Sequence, residues 1–189
     1  AYGRQPDAAM WAVCRLADCF VKLVPKSNLE DHLHGFYATL ESALAKAVQR
    51  RLGIAFDAAD DERDAMLARQ FFTAAKASDY GFDQIFHDLY GGVPRCAGYQ
   101  NEVWASLLDT MSGARLVRRN ALQHPHFKQP EAVSLTIDEV EALWAPIATA
   151  DDWQPLKEKI VAIRTMRAAL DGATITAIPK IDGGALSAD

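Results

Sequence analysis

The chain has 189 residues, half of them apolar, with 20 Lys and Arg against 25 Asp and Glu and a net charge of −5. That length suits one domain, with or without an appendage, and can bury roughly 70% of the unfolded surface, which excludes wholesale disorder. The mildly acidic balance excludes a general nucleic-acid binder, because neutralising phosphates takes a clustered excess of Lys and Arg. No apolar run nears the ~20 residues of a membrane span.

The chain opens Ala1-Tyr2-Gly3-Arg4-Gln5-Pro6, and its first methionine is Met10. No basic stretch followed by an apolar one precedes the fold, so no signal peptide is read, and the expected location is the cytoplasm. This opening reads as a piece of a longer protein. Pro6 suits the first turn of a helix. Met10, Trp11, Val13, Cys14, Leu16, Ala17, Phe20, Leu23 and Val24 then form a broad apolar surface, which predicts a helix wrapped by others and stopped by Pro25.

Ser27 or Asn28 is expected to cap one long helix carrying Leu29, Leu33, Phe36, Leu40, Leu44, Val48 and Leu52. Arg50 and Arg51 complement its dipole and Gly53 stops it. Asp60 is the expected N-cap of the next helix, with Asp61 and Glu62 in its first turn, continuing through Phe71 to about Ala77. A short helix over Phe82, Phe86 and Tyr90 should end at Gly91-Gly92, and another over Val103 to Met111 at Gly113. A short helix is expected from Ala114 to Leu122, followed by a proline-broken connection. Thr136 and Glu139 form a capping box for a helix that Pro146 should kink or shorten. Pro155 opens a last helix, ended by Gly172. No segment alternates like a strand. The fold class is all-α, an irregular bundle of six to eight helices over residues 1–172, with an extended or disordered tail at 173–189.

Candidate chemistry is sparse. Cys14 and Cys19, five apart on a helix, point about 140° away from each other, so buried, reduced thiols are expected at these and at Cys96. His32 and His34 point about 160° apart and cannot share an ion. His124-Pro125-His126 lies in a loop with no ligand partner nearby in sequence. His87 reads as a helix-boundary residue bonded to backbone. No phosphate loop, nucleophile elbow or kinase triplet occurs. Arg115, Arg118 and Arg119 form the one basic run, read as a solvated helix face or an anion or docking patch. Trp104, Trp144 and Trp153 are expected in the core, with partner anchoring as the alternative. No cofactor or metal is assigned to the chain itself.

Short motifs carry a resemblance. Tyr2-Gly3-Arg4-Gln5-Pro6, Trp11 and Arg15-Leu16-Ala17 resemble a segment of the selenoprotein O family. Arg51-Leu52-Gly53-Ile54, then Asp79-Tyr80 with Phe82 and Phe86, then Ile137-Asp138-Glu139 and Asp151-Asp152-Trp153 are similar to later stretches of it. Arg4 and Ala12 stand where that family usually has Asn, and its C-terminal cysteine or selenocysteine is absent here. The resemblance implies a pseudokinase fold that transfers AMP from ATP to protein hydroxyls, with ATP and Mg²⁺ held by residues earlier in the family's chain. This sequence would then be the helical C-terminal part of a kinase-like C-lobe. Its partners would be the N-terminal lobe of the same polypeptide and protein substrates, with no nucleic acid and no membrane. Tyr2, Gln5, Pro6, Trp11 and Arg15 would be structural motif residues. The alternatives are a stand-alone helical protein-interaction module and, more remotely, a helical-bundle metalloenzyme.

Overall fold

The computed structural model describes residues 4–171. Among these are eight α-helices: α1 (Gln5–Phe20), α2 (Lys26–His34), α3 (Phe36–Leu52), α4 (Asp61–Lys76), α5 (Phe82–Asp88), α6 (Glu102–Met111), α7 (Ile137–Ala150) and α8 (Gln154–Asp171). Short 3-10 turns at 97–99, 121–123 and 125–128 join them. The expectation of no strand is corrected in one place. β1 (Ile54–Ala55) pairs antiparallel with β2 (Arg115–Leu116), Ile54 opposite Leu116. The expected helix over 114–122 does not form, because its start is drawn into this pair and Ala121–Gln123 make only a 3-10 turn.

The core sits where α3, α4, α5 and α6 meet. Leu52, Leu67, Phe71, Leu89 and Tyr99 are fully buried there and Trp104 almost so. Phe71 organises it, stacking on Phe86 at 4.4 Å between centroids and meeting Phe82 edge-on at 5.6 Å, geometries that add to plain burial. A smaller cluster of Tyr90, Ala121, Phe127 and Ala169 lies against α8.

The helix ends follow local chemistry. Gly53 takes a left-handed φ of 66° and its N–H donates to Arg50 O, closing α3; a Cβ here would meet the Tyr90 ring. Gly91 and Gly92, at φ 91° and 84°, turn the chain after α5. Gly91 N–H donates to Leu52 O at 2.7 Å and Val117 N–H to Gly53 O at 2.9 Å, so three distant segments close on one point. Asp60 caps α4 by accepting from Arg63 N–H at 2.9 Å, and Asn101 caps α6 through Val103 N–H at 3.0 Å. At α7 both arms of the capping box form: Thr136 N–H donates to Glu139 at 2.8 Å, and Glu139 N–H to the Thr136 hydroxyl at 3.4 Å.

Four expectations need revision. The long second helix is two, because its chain turns at Gly35, and α2 starts at Lys26 behind Pro25 with no side-chain cap. Pro146 does not shorten α7, which runs on to Ala150 with the following Ile147 buried. Burial of that side chain holds the turn despite the lost N–H. Cys19 and Cys96 are exposed and Cys14 half-buried, all three as free thiols. Trp104 is core, but Trp144 and Trp153 are exposed. Gly172 and the 173–189 tail lie outside the described residues, as does Tyr2.

The largest departure concerns α1. It buries no residue, although its broad apolar surface predicts a wrapped helix. Trp11 is 66% exposed, Leu16 58% and, just beyond the helix, Leu23 79%. The Tyr37 hydroxyl donates to Asp7 at 3.3 Å, linking α1 to α3. No helix among the described residues is long and apolar enough to cross a membrane.

Candidate functional site

The sequence motifs fall in separate places. Pro6 sits in the first turn of α1, as its fixed φ favours. Gln5 and Trp11 face solvent, and exposed Arg15 pairs with Asp18 one turn on at 2.9 Å. Arg51 to Ile54 is the α3 terminus and the start of β1. Tyr80 stacks on Tyr99 at 5.0 Å. Asp151, the one described non-glycine residue at positive φ (51°), ends α7 and accepts from Trp153 Nε1 at 2.7 Å. Arg51 to Ile54, Tyr80 and Asp151 lie at joints between elements.

The basic run is dispersed. Arg115 lies in β2 and pairs with Asp57 at 2.8 Å. Arg118 is half-buried, its Nη1 enclosed without a protein partner, and Arg119 is exposed. The three do not line one helix face, since the helix that would align them is absent.

A buried polar cluster joins α5 to the segment after it. His87 and Asp88, in the last turn of α5, are both buried, as is His126 in the 125–128 turn. Sequence separates the two histidines widely, yet their ring centroids lie 5.0 Å apart. His87 Nε2 donates to Gln129 O at 3.0 Å; a carbonyl only accepts, so Nε2 carries the proton and Nδ1 the lone pair. That Nδ1 is buried with no protein partner. The Arg95 guanidinium donates to the carbonyls of His87 and Phe127. Asp88 accepts from Tyr99 OH at 3.0 Å and Gln84 Nε2 at 2.9 Å. Gln84 also donates to Pro130 O and accepts from Ala132 N–H, fastening 129–132 to α5.

This setting disfavours the charged form of both imidazoles. Burial, with Arg95 adding to it, pushes His87 below its usual value. Burial, then His87, His124 and Arg95, pushes His126 down to about 4. Burial beside Asp88 raises the Tyr99 phenol. A cavity of about 50 Å³ adjoins the joint, walled by Arg51, Asp83, Phe86, His87, His126 and Met166. Arg51 lies over the Phe86 ring at 4.1 Å and pairs with Asp83 at 2.6 Å. Among the described residues, no three or more His, Cys, Asp or Glu side chains converge as metal ligands. The Cys96 thiol also donates to Asp88 at 3.9 Å, and the cluster can orient and lock the 124–132 segment. Reading along the sequence pairs neither His87 with His126 nor Arg95 with Phe127, because the partners are 39 and 32 positions apart.

The comparisons bear on the α1 to α6 half. The family described as Protein adenylyltransferase SelO matches residues 1–112. Two relatives in Rhodopseudomonas palustris, each named Protein nucleotidyltransferase YdiU, from strain TIE-1 and strain ATCC BAA-98 / CGA009, are each 30% identical over 95 residues. The matched stretch is 47% of this chain and 19% of each relative, so the chain spans about a fifth of their length. No solved structure matches the chain. The residues matched by the family, which run from the exposed first helix through α6 and its Trp104 core, make this chain a member of the SelO protein adenylyltransferase family.

Proposed function

We propose that the chain is the helical C-terminal part of a SelO-like protein that transfers AMP from ATP to protein hydroxyls in the cytoplasm. Its own work is to buttress the kinase-like C-lobe and to present target proteins. ATP and Mg²⁺ would be held by the N-terminal lobe of the same polypeptide. Positioning and charge neutralisation dominate such transfers, and the described residues supply support for that site rather than the site.

The observation that carries this reading is the apolar side of α1. It lies within the family-matched segment, carries Trp11 and Leu16, and no element of the described chain buries it. Exposed apolar surface of that extent marks an interface, and the family's nucleotide-binding lobe is the natural cover.

Two measurements test it. Incubated with labelled ATP and Mg²⁺, this chain is expected to transfer no AMP; transfer, or tight ATP binding, would sink the proposal. Trp11→Ser should change the unfolding free energy of this chain by no more than about 0.5 kcal/mol, as surface changes do, while destabilising a polypeptide that includes the preceding lobe. Equal effects in both would remove α1 as the interface.

A further inference from the structure

A second apolar face lies beyond residue 112, where the family match ends. On α7, Ile137, Val140 and Trp144 share one side at helical spacing, and they are 73%, 44% and 60% exposed. Leu135, just before the helix, is 55% exposed. The stripe runs into the body of the chain at its C-terminal end, where Ile147 on the same side is buried, and on another side of α7 Glu139 pairs with Lys159 of α8 at 2.9 Å. Among the described residues, the stripe from Ile137 to Trp144 is an exposed face of an anchored helix.

Its charge is one-sided. From Glu131 to Asp152 the sequence holds Glu131, Asp138, Glu139, Glu141, Asp151 and Asp152 and no Lys, Arg or His. Glu139 is neutralised within the chain, but Asp138 and Glu141 are exposed. Glu141 lies one turn from both Ile137 and Trp144, so it borders the stripe directly. An aromatic anchor bordered by uncompensated carboxylates fits a chain with apolar side chains along one face and Lys or Arg beside them. A second copy would bring carboxylates against carboxylates. An anionic lipid surface would be repelled in the same way.

We propose that this face of α7 is a docking site for a basic amphipathic segment of a partner protein, with Trp144 as its anchor. The site is independent of the covering of α1. Rim carboxylates steer the encounter and set its salt dependence, while the buried aromatic sets the dissociation rate.

The full 189-residue chain can be titrated with a fluorescein-labelled 18-residue peptide of leucine and lysine at helical spacing, read by anisotropy. A leucine–glutamate peptide of the same spacing serves as the control. The leucine–lysine peptide should bind. Affinity should fall at least tenfold with Trp144→Ser, at least tenfold with Asp138→Asn plus Glu141→Gln, and on raising salt from 50 to 500 mM, while Trp11→Ser leaves it unchanged. All four substitutions are at exposed positions, and thermal unfolding of each variant reads out its fold. Binding that survives Trp144→Ser or the neutralised rim, or equal binding of the leucine–glutamate peptide, overturns the proposal. So does a dimer in sedimentation that Trp144→Ser dissolves, or Trp144-dependent binding to phosphatidylcholine–phosphatidylserine vesicles.

Discussion

At the residue scale, the joint between His87 and His126 makes stability respond to acid. His126 titrates near 6.5 when unfolded and at about 4 when folded, so the fold rejects a proton that the unfolded chain accepts. Its contribution is complete above pH 6.5 and is lost as pH falls from 6.5 toward 4, at most ~3 kcal/mol for a shift of that size. His87 is displaced in the same direction by burial. Urea unfolding at pH 7 and 4.5 should show the loss, and His126→Phe should make the pH dependence shallower whatever its effect at pH 7. A slope unchanged by that substitution would mean that His126 is not desolvated. Glu139 acts in a lower window. Bonds from the Ser134 hydroxyl, Lys159 and the Thr136 N–H hold its carboxyl down to about 2, so its contribution is present above pH 4.5 and disappears below that.

At the scale of elements, ends matter more than middles. Thr136→Ala removes one arm of the α7 capping box and should cost ~1 kcal/mol, read as faster amide exchange in the first turns of α7. Gly53→Ala acts at two levels, since φ at +66° disfavours a side chain and the new methyl would displace the Tyr90 ring. A loss beyond the ~1 kcal/mol expected for the backbone alone, measured by urea unfolding, would report the Tyr90 clash; a neutral substitution would contradict the described turn. Caps were legible from sequence at Asp60, Gly53 and Thr136 because each depends on contacts within a few residues. The break at Gly35 and the β1–β2 pair were not. Ile54 and Leu116 are 62 positions apart, and no local propensity encodes that pairing.

At the scale of the molecule, the chain has a tight core under α3 to α6 and open flanks in α1 and α7. Phe71→Ala, at a fully buried ring touching three other aromatics, should cost 3–5 kcal/mol, a range typical of large-to-small core changes, and thermal denaturation should show it. A cost below ~1 kcal/mol would deny the core its centre. From sequence, α1 is expected to be wrapped by other helices and Trp144 of α7 to lie in the core, whereas both are exposed among the described residues. Spacing gives a helix its apolar stripe; only packing decides whether that stripe is covered.

Composition and periodicity were therefore enough for an all-α chain and for most of its longer helices and their stops, while short motifs carried the resemblance to the SelO family. Each of those depends on neighbours within one or two turns. Three-dimensional packing alone brought His87 to His126, dispersed Arg115, Arg118 and Arg119, and left Trp11 and Trp144 in solvent. Those outcomes depend on which distant segments close on one another, and the free energy of closure belongs to the assembled core rather than to any stretch of the chain.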